Sequence, residues 1–93
     1  MANKAESPVN ILKALASQVR LDIVYRLAKS PGGMSRIELS APVRLSEPAI
    51  THHFLKLVNA GVINESKAHT AKYYVLNAPF LAKHGINVDK LLR

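Results

Sequence analysis

The chain has 93 residues, the usual size of one domain, so we expect residues 1–93 to form one unit without a separate catalytic domain. Its 13 Lys and Arg against 6 Asp and Glu give a formal charge of +7, which favours an anionic partner such as nucleic acid. It contains no cysteine, which excludes disulfides, thiolate metal sites and thiol redox sensing. No apolar run approaches a membrane span, and Met1–Pro8 lacks the apolar core of a signal peptide, so we expect a cytoplasmic protein without membrane contact.

Two helices are predicted in the first third of the chain. After a flexible arm over residues 1–7, Ser7 and Pro8 give a capped start to a helix over Pro8–Ala16. Ser17 offers a second cap, for a helix over Gln18–Lys29. Their apolar stripes at helical spacing are Ile11, Leu12 and Leu15 in the first, and Val19, Ile23, Val24 and Leu27 in the second.

A second pair of helices follows a turn at Ser30–Gly33. Ser35 starts a short helix, Ala41–Leu45 connects it to the next element, and Ser46–Pro48 is a capped start with an acid near the positive helix end. This longer helix ends at Gly61. The short helix carries Ile37 and Leu39, and the inward face of the longer one is defined by Ile50, Phe54, Leu57 and Val58.

The pattern then changes to that of a β-hairpin. Strands are predicted over Val62–Lys67 and Ala71–Leu76, around a polar tip at Ala68–Thr70. Because strand neighbours alternate faces, one ring of the pair Tyr73 and Tyr74 is expected inward against the preceding helix and the other outward. Residues 79–93 are expected to form one or two short helices, with apolar side chains at Leu81, Ile86, Val88, Leu91 and Leu92.

This order predicts a mainly α-helical fold with a small β-hairpin, the winged helix-turn-helix. The second helix of the pair can enter the major groove with its first turns, while the hairpin follows the DNA backbone. Thr51 and His52 can hydrogen-bond bases, Ala49 can touch a thymine methyl, and Glu47 could accept from a cytosine amino group. The predicted DNA-binding residues are Ser35, Arg36, Arg44, Ser46, Glu47, Ala49, Thr51, His52, Lys56, Lys67, His69, Thr70 and Lys72.

Four segments carry a family resemblance. Ala14–Ile23 (ALASQVRLDI) resembles the ALA-x-x-x-R-L-x-I start of ArsR/SmtB-type repressors, and Leu45–Phe54 (LSEPAITHHF) resembles their L-S-Q-P-x-V-S-x-H-L recognition helix. Ala60–Ile63 and Lys72–Asn77 continue the match through the wing. The sequence departs from the family in Glu47, where glutamine is usual, in the order Leu55-Lys56, and in a short tail.

The resemblance implies a homodimeric repressor that pairs through its first and last helices and binds an inverted repeat in double-stranded DNA. The residues implied for dimerisation are Ile11, Leu12, Leu15, Leu81, Val88, Leu91 and Leu92. Ser35 and Ile37 stand where many relatives carry metal-binding cysteines, and the tail offers only His84 and Asp89 as ligands for the family's other site. We therefore predict no metal and no cofactor, and we interpret His53 as a packed or hydrogen-bonded histidine.

An enzyme and a protein-interaction module are the two other function classes for a small basic domain. The chain has no Gly-rich phosphate loop, nucleophile elbow or metal motif, so it is not expected to be an enzyme. The alternative is a protein-interaction module that modulates another regulator, in which case Lys56→Ala or Lys72→Ala would leave function unchanged. A small-molecule or protein effector that controls DNA binding stays a further alternative.

Overall fold

The computed structural model describes residues 8–91, so the predicted arm, the cap at Ser7 and the dimer residue Leu92 lie outside the described residues. The elements are α1 Pro8–Leu15, α2 Gln18–Ala28, β1 Met34–Ser35, α3 Arg36–Ser40, α4 Glu47–Asn59, β2 Ile63–Ala68, β3 Ala71–Leu76, α5 Ala78–Lys83 and α6 Val88–Leu91. No helix within this range combines the length and the hydropathy that crossing a membrane requires.

The helix starts follow the capping residues. The Ser17 hydroxyl accepts a hydrogen bond from the Arg20 backbone N–H at 3.4 Å, and the Ser46 hydroxyl accepts one from Ala49 at the same distance. Helix ends are displaced by one residue from the prediction in α1, which stops at Leu15, and in α2, which stops at Ala28.

The strands form a three-stranded antiparallel sheet in the order β1-β3-β2. β2 and β3 pair from Ile63 opposite Leu76 to Ala68 opposite Ala71, one residue beyond the predicted end of the first strand. The tip is therefore only His69 and Thr70. The third strand, β1, was not predicted, because its two residues are too short to show any alternation.

One hydrophobic core joins the helices to the sheet. It is built mostly from the predicted apolar stripes, and Leu12 and Ile37 are exceptions, since they are 62% and 79% exposed. The ring of Tyr74 is 1% exposed and faces inward, whereas Tyr73 is 40% exposed, as alternation predicts. The buried core residues are Ile11, Ala14, Leu15, Ile23, Val24, Leu27, Leu39, Ile50, Phe54, Leu57, Ala60, Val62, Ile63, Tyr74, Leu81 and Val88.

Gly33 brings the chain from α2 onto the sheet in a conformation that other residues avoid. Its φ is +92°, and a Cβ there would lie 2.7 Å from the Tyr74 carbonyl oxygen and 2.8 Å from the Val75 side chain. Backbone cannot yield to such a contact as a flexible side chain can. Only glycine therefore fits this approach.

We expect Gly33→Ala to lose about 1 to 3 kcal/mol of folding free energy from backbone strain alone, with the clash adding to it. Gly32→Ala is the matched control, because no atom of the described residues 8–91, its chain neighbours aside, lies within 4 Å of its Cβ position. Urea denaturation of both variants measures the difference. Equal midpoints for the two variants would contradict this account of the turn.

The base of the hairpin is tied to the end of α4. Gly61, with φ +80°, donates to Val58 O and Val62 donates to Leu57 O, both at 3.0 Å, which is the Schellman termination of a helix. The side-chain amide of Asn77 donates to Gly61 O at 3.1 Å, and its backbone N–H donates to Val62 O at 2.9 Å. Both strands therefore leave the core from one fixed point.

Candidate nucleic-acid interface

Helices α3 and α4 form the helix pair; each begins at a capping serine, and α3 is also hydrogen-bonded to α2. Ser35 accepts from the Glu38 N–H at 3.1 Å while the Glu38 carboxylate accepts from the Ser35 N–H and hydroxyl, and these bonds hold the Glu38 pKa below its usual value. Arg26, in α2, donates to the carbonyls of Glu38 and Leu39 at 2.8 and 2.9 Å. The short helix α3 is thus fixed at both ends before the chain turns into α4.

Helix α4 is amphipathic and leaves part of its N-terminal half in solvent. Ile50 and Phe54 are buried, as predicted, while Thr51, His52 and Leu55 are exposed. Pro48 stands in its first turn, where its missing N–H removes no hydrogen bond. The exposed face, one turn from the capped start, is the part of the helix that could enter a groove.

Arg36 connects α3 to that exposed face. Its Nη2 donates to Glu47 Oε2 at 3.1 Å and to Thr51 Oγ1 at 2.9 Å, and its guanidinium lies 5.2 Å from the centroid of the Phe54 ring. The Arg36 side chain is 21% exposed, against 77% for Glu47. The charge of Arg36 is thus paired with Glu47 within the protein, and the phosphate contact expected for Arg36 stays a prediction.

The hairpin is held against α4 by stacked rings. The rings of Phe54 and Tyr74 lie 4.6 Å apart at an interplanar angle of 17°. Lys67 and Lys72 are directly opposite each other across the strands, on the same sheet face as Tyr74, because side chains two residues apart share a face. Glu65 shares this face, and its carboxylate lies 3.5 Å from Lys72 Nζ. The predicted wing lysines therefore lie on the α4 side of the hairpin.

Burial raises the pKa of the Tyr74 phenol, and the Glu65 carboxylate raises it further, while Arg36 acts in the opposite direction. The hydroxyl of Tyr74 therefore stays protonated between an acid of the wing and the guanidinium of α3. Glu65 is the residue that the sequence analysis missed here. Its signal was the two-residue spacing from Lys67, which places both on one strand face.

Other predicted DNA-binding residues are separated from this group. Lys56 lies on the opposite flank of α4, beside Lys13 and Arg20 in a shallow pocket of about 330 Å³. Arg44 lines a groove of about 720 Å³ against α2. The Ser35 hydroxyl both donates to and accepts from Glu38, which makes it the capping residue of α3, and its contact with DNA stays a prediction. His69 and Thr70 are exposed at the tip, where His69 has φ +57°.

The predicted dimer residues divide into two groups. Four of them are buried in the chain's own core, which corrects their assignment to a partner contact: Ile11, Leu15, Leu81 and Val88. Leu12 and Leu91 are 62% and 53% exposed, and both line a groove of about 460 Å³ with Ile86 between α1, α2 and the tail. Periodicity marks an apolar face, but it does not say what covers it.

His53, on the inner flank of α4, pairs with an arginine rather than with a second ligand. Its Nδ1 lies 2.9 Å from Arg20 Nη1, and Arg20 also donates to Ala14 O at 2.6 Å. Burial, with the charges of Arg20 and His52, holds the His53 pKa below its usual value. The neutral ring can accept from the guanidinium, so Arg20 links the end of α1 to α4. Within residues 8–91, no three His, Cys, Asp or Glu side chains gather closely enough to hold a metal ion.

This pairing predicts a pH dependence of stability. Because the pKa of His53 is lower in the folded state than in the unfolded state, unfolding takes up a proton, and stability falls as the pH drops below about 6.5. We expect urea midpoints of the wild type to decrease between about pH 7.5 and pH 5.5, and those of His53→Gln to decrease less. An identical decrease in both proteins would contradict the role of His53.

Comparison with known protein families identifies the family to which this fold and its helix pair belong. Residues 17–65 match the model of the family described as bacterial regulatory protein, arsR family. The chain belongs to the ArsR family. Its resemblance to that family, and the winged helix-turn-helix prediction, are thereby confirmed, and members of the family are DNA-binding transcriptional regulators rather than enzymes.

Individual relatives agree with this membership. The chain is 32% identical over 84 residues to the HTH-type transcriptional regulator Rv2034 of Mycobacterium tuberculosis, covering 90% of this chain and 77% of that protein. It is 26% identical over 66 residues to the putative arsenical resistance operon repressor ArsR2 of Halobacterium salinarum, covering 71% of this chain but only 56% of that protein. The crystal structure of the ArsR family transcriptional regulator RHA00566 superposes with a TM-score of 0.77 at 24% identity, over 91% of this chain and 86% of that one, and so shows the shared fold.

Proposed function

We propose that this ArsR-family protein is a repressor that binds a palindromic operator as a homodimer and does not sense metal. The observation that carries the proposal is the joint exposure of the first turns of α4 and the lysine face of the wing, which Phe54 and Tyr74 hold side by side. α4 reads bases in a major groove, while Lys67 and Lys72 neutralise the flanking phosphates.

The homodimer is supported by the apolar groove that contains Leu12 and Leu91. Both are exposed leucines, on helices from opposite ends of the described chain, and they meet at one surface. A second copy related by a twofold axis would cover this surface and present the recognition helices to successive major grooves, about 34 to 36 Å apart. The operator is then an imperfect palindrome.

The independence from metal is supported by the side chains available. The chain has no cysteine to provide a thiolate, which is the ligand that soft metals prefer. The family resemblance implies that Ser35 and Ile37 stand where many relatives carry metal-binding cysteines, and neither side chain can replace a thiolate. A small molecule or a protein partner is left as the switch, with protein concentration as the third route.

Selection of genomic DNA fragments by the purified protein, with and without divalent metals, tests the proposal. We expect the same palindrome to be enriched in both conditions, and a dimer in sedimentation measurements. Loss of binding with a metal would refute the metal-independent switch, an asymmetric half-site would refute the dimer, and no enrichment would favour a protein-interaction module.

Salt dependence gives a second measurement on the selected operator. If the dimer neutralises about eight phosphates, a plot of the logarithm of the affinity against the logarithm of the salt concentration should have a slope of about −7. Replacing Lys72 with methionine in both subunits should make the slope less steep. A nearly flat dependence in the wild type would contradict electrostatic binding through the wing.

A further inference from the structure

Glu47 is an acid at the start of a helix that approaches phosphates, and an unpaired carboxylate there would repel DNA. Its charge is instead compensated by Arg36, which holds Oε2 at 3.1 Å. The Arg36 guanidinium also lies over the Phe54 ring, and its side chain is only 21% exposed, so it is held by the protein rather than being a flexible surface cation. The pair thus keeps a hydrogen-bond acceptor on the exposed face without a net negative charge.

The same guanidinium determines what Thr51 can do. A threonine hydroxyl can donate once and accept twice. Because Thr51 Oγ1 accepts from Arg36 at 2.9 Å, the hydroxyl can donate its own proton to a further acceptor. Glu47 and Thr51 are four residues apart, one turn of helix, and therefore neighbours on α4. They form an acceptor and a donor side by side.

We infer that Arg36 is a positioning residue that holds Glu47 and Thr51 as a specificity-determining acceptor and donor pair. Glu47 would take a base with an exocyclic amino group in the major groove, cytosine N4 or adenine N6, and Thr51 would take a neighbouring base acceptor, such as guanine O6 or N7. This inference rests on the proposed function, since it assigns the base preference of the same helix.

The test is selection from a randomised operator library by the full chain, comparing the wild type with variants at three positions. In Glu47→Gln the amide can both donate and accept, so we expect the preference for an amino-bearing base to fall at least about fivefold. In Arg36→Lys the charge is kept but the planar fork is lost, and in Arg36→Met both are lost. Both are expected to weaken the preferences assigned to Glu47 and Thr51.

Arg44→Met is the matched control, because it removes one exposed positive charge outside the cluster. It should lower the affinity for all sequences alike and leave the selected consensus unchanged. The base frequencies of the selected consensus would not change if Arg36 had a purely structural role. Weakened folding lowers the fraction of active protein without changing its base preference. If Arg36→Met does not fold, Arg36→Lys and Glu47→Gln decide the question.

The outcomes separate the two proposals. If the wild type selects a consensus and the Arg36 variants keep it while losing affinity uniformly, as Arg44→Met does, then Arg36 only contacts phosphate and the inference is wrong. If Glu47→Gln also leaves the consensus unchanged, Glu47 reads no base. If the wild type selects no consensus at all, the proposed function fails, and the inference fails with it.

Discussion

Replacing Phe54 with alanine is expected to lower the free energy of unfolding by about 3 to 5 kcal/mol. The side chain is 2% exposed, stacks on Tyr74 and lies beneath the Arg36 guanidinium, so its loss opens a cavity where α4, the wing and α3 meet. A domain of this size has a total stability of about 5 to 15 kcal/mol, so the variant loses a large part of it. Urea denaturation at one fixed protein concentration measures the change.

Leu55→Ala is the control for this variant. Leu55 is the next residue of α4 and is 49% exposed, so its truncation should change stability by less than about 0.5 kcal/mol. Phe54→Leu should lie between the two, because it keeps most of the apolar volume but loses the stacked rings. A loss below about 1 kcal/mol in Phe54→Ala would show that the stack contributes little to the fold.

Leu12→Glu is expected to have the largest effect on DNA binding, although residue 12 is not part of the recognition helix. A carboxylate in the apolar groove of α1 and the tail would have to be desolvated in the proposed dimer, so the protein should become monomeric. In the proposed dimer each subunit contacts one half-site, so losing the second contact should reduce operator affinity at least about 100-fold. Sedimentation and DNA titration measure the two effects together.

Leu12→Lys separates dimerisation from electrostatics. It introduces the opposite charge at the same position, so it should also dissociate the dimer, although a lysine by itself would favour DNA binding. Similar losses of operator affinity in both variants are therefore expected. A loss confined to the glutamate variant would mean that the charge, and not a subunit interface, is responsible.

Local chemistry explains which parts of the fold could be predicted. Ser17 and Ser46 cap the helices that follow them because the cap depends only on a hydroxyl and the next three residues. Gly61 ends α4 because a positive φ is needed directly after the helix. Such signals lie within one turn of the position that they determine, and they fixed the helix pair, the hairpin and the buried stripes.

Long-range geometry explains what could not be predicted. β1 exists only because Met34 and Ser35 meet Tyr74 and Tyr73, some 40 residues away along the chain. Arg36 and Glu47 are separated by a turn, and no periodicity says that their side chains will pair rather than face solvent. The apolar stripe of α1 was visible, but its division into a buried Leu15 and an exposed Leu12 depends on how the tail packs.

The attachment of the hairpin at its base has a consequence for motion. Asn77 and Gly61 fix the point where both strands leave the core, whereas the tip residues His69 and Thr70 are exposed. Amide hydrogen exchange should therefore be slowest at the base and accelerate steadily toward the tip. A hairpin with a rigid base and an exposed tip can bend toward its end while α4 stays in place, which in the proposed complex would let the tip follow a phosphate backbone of varying curvature.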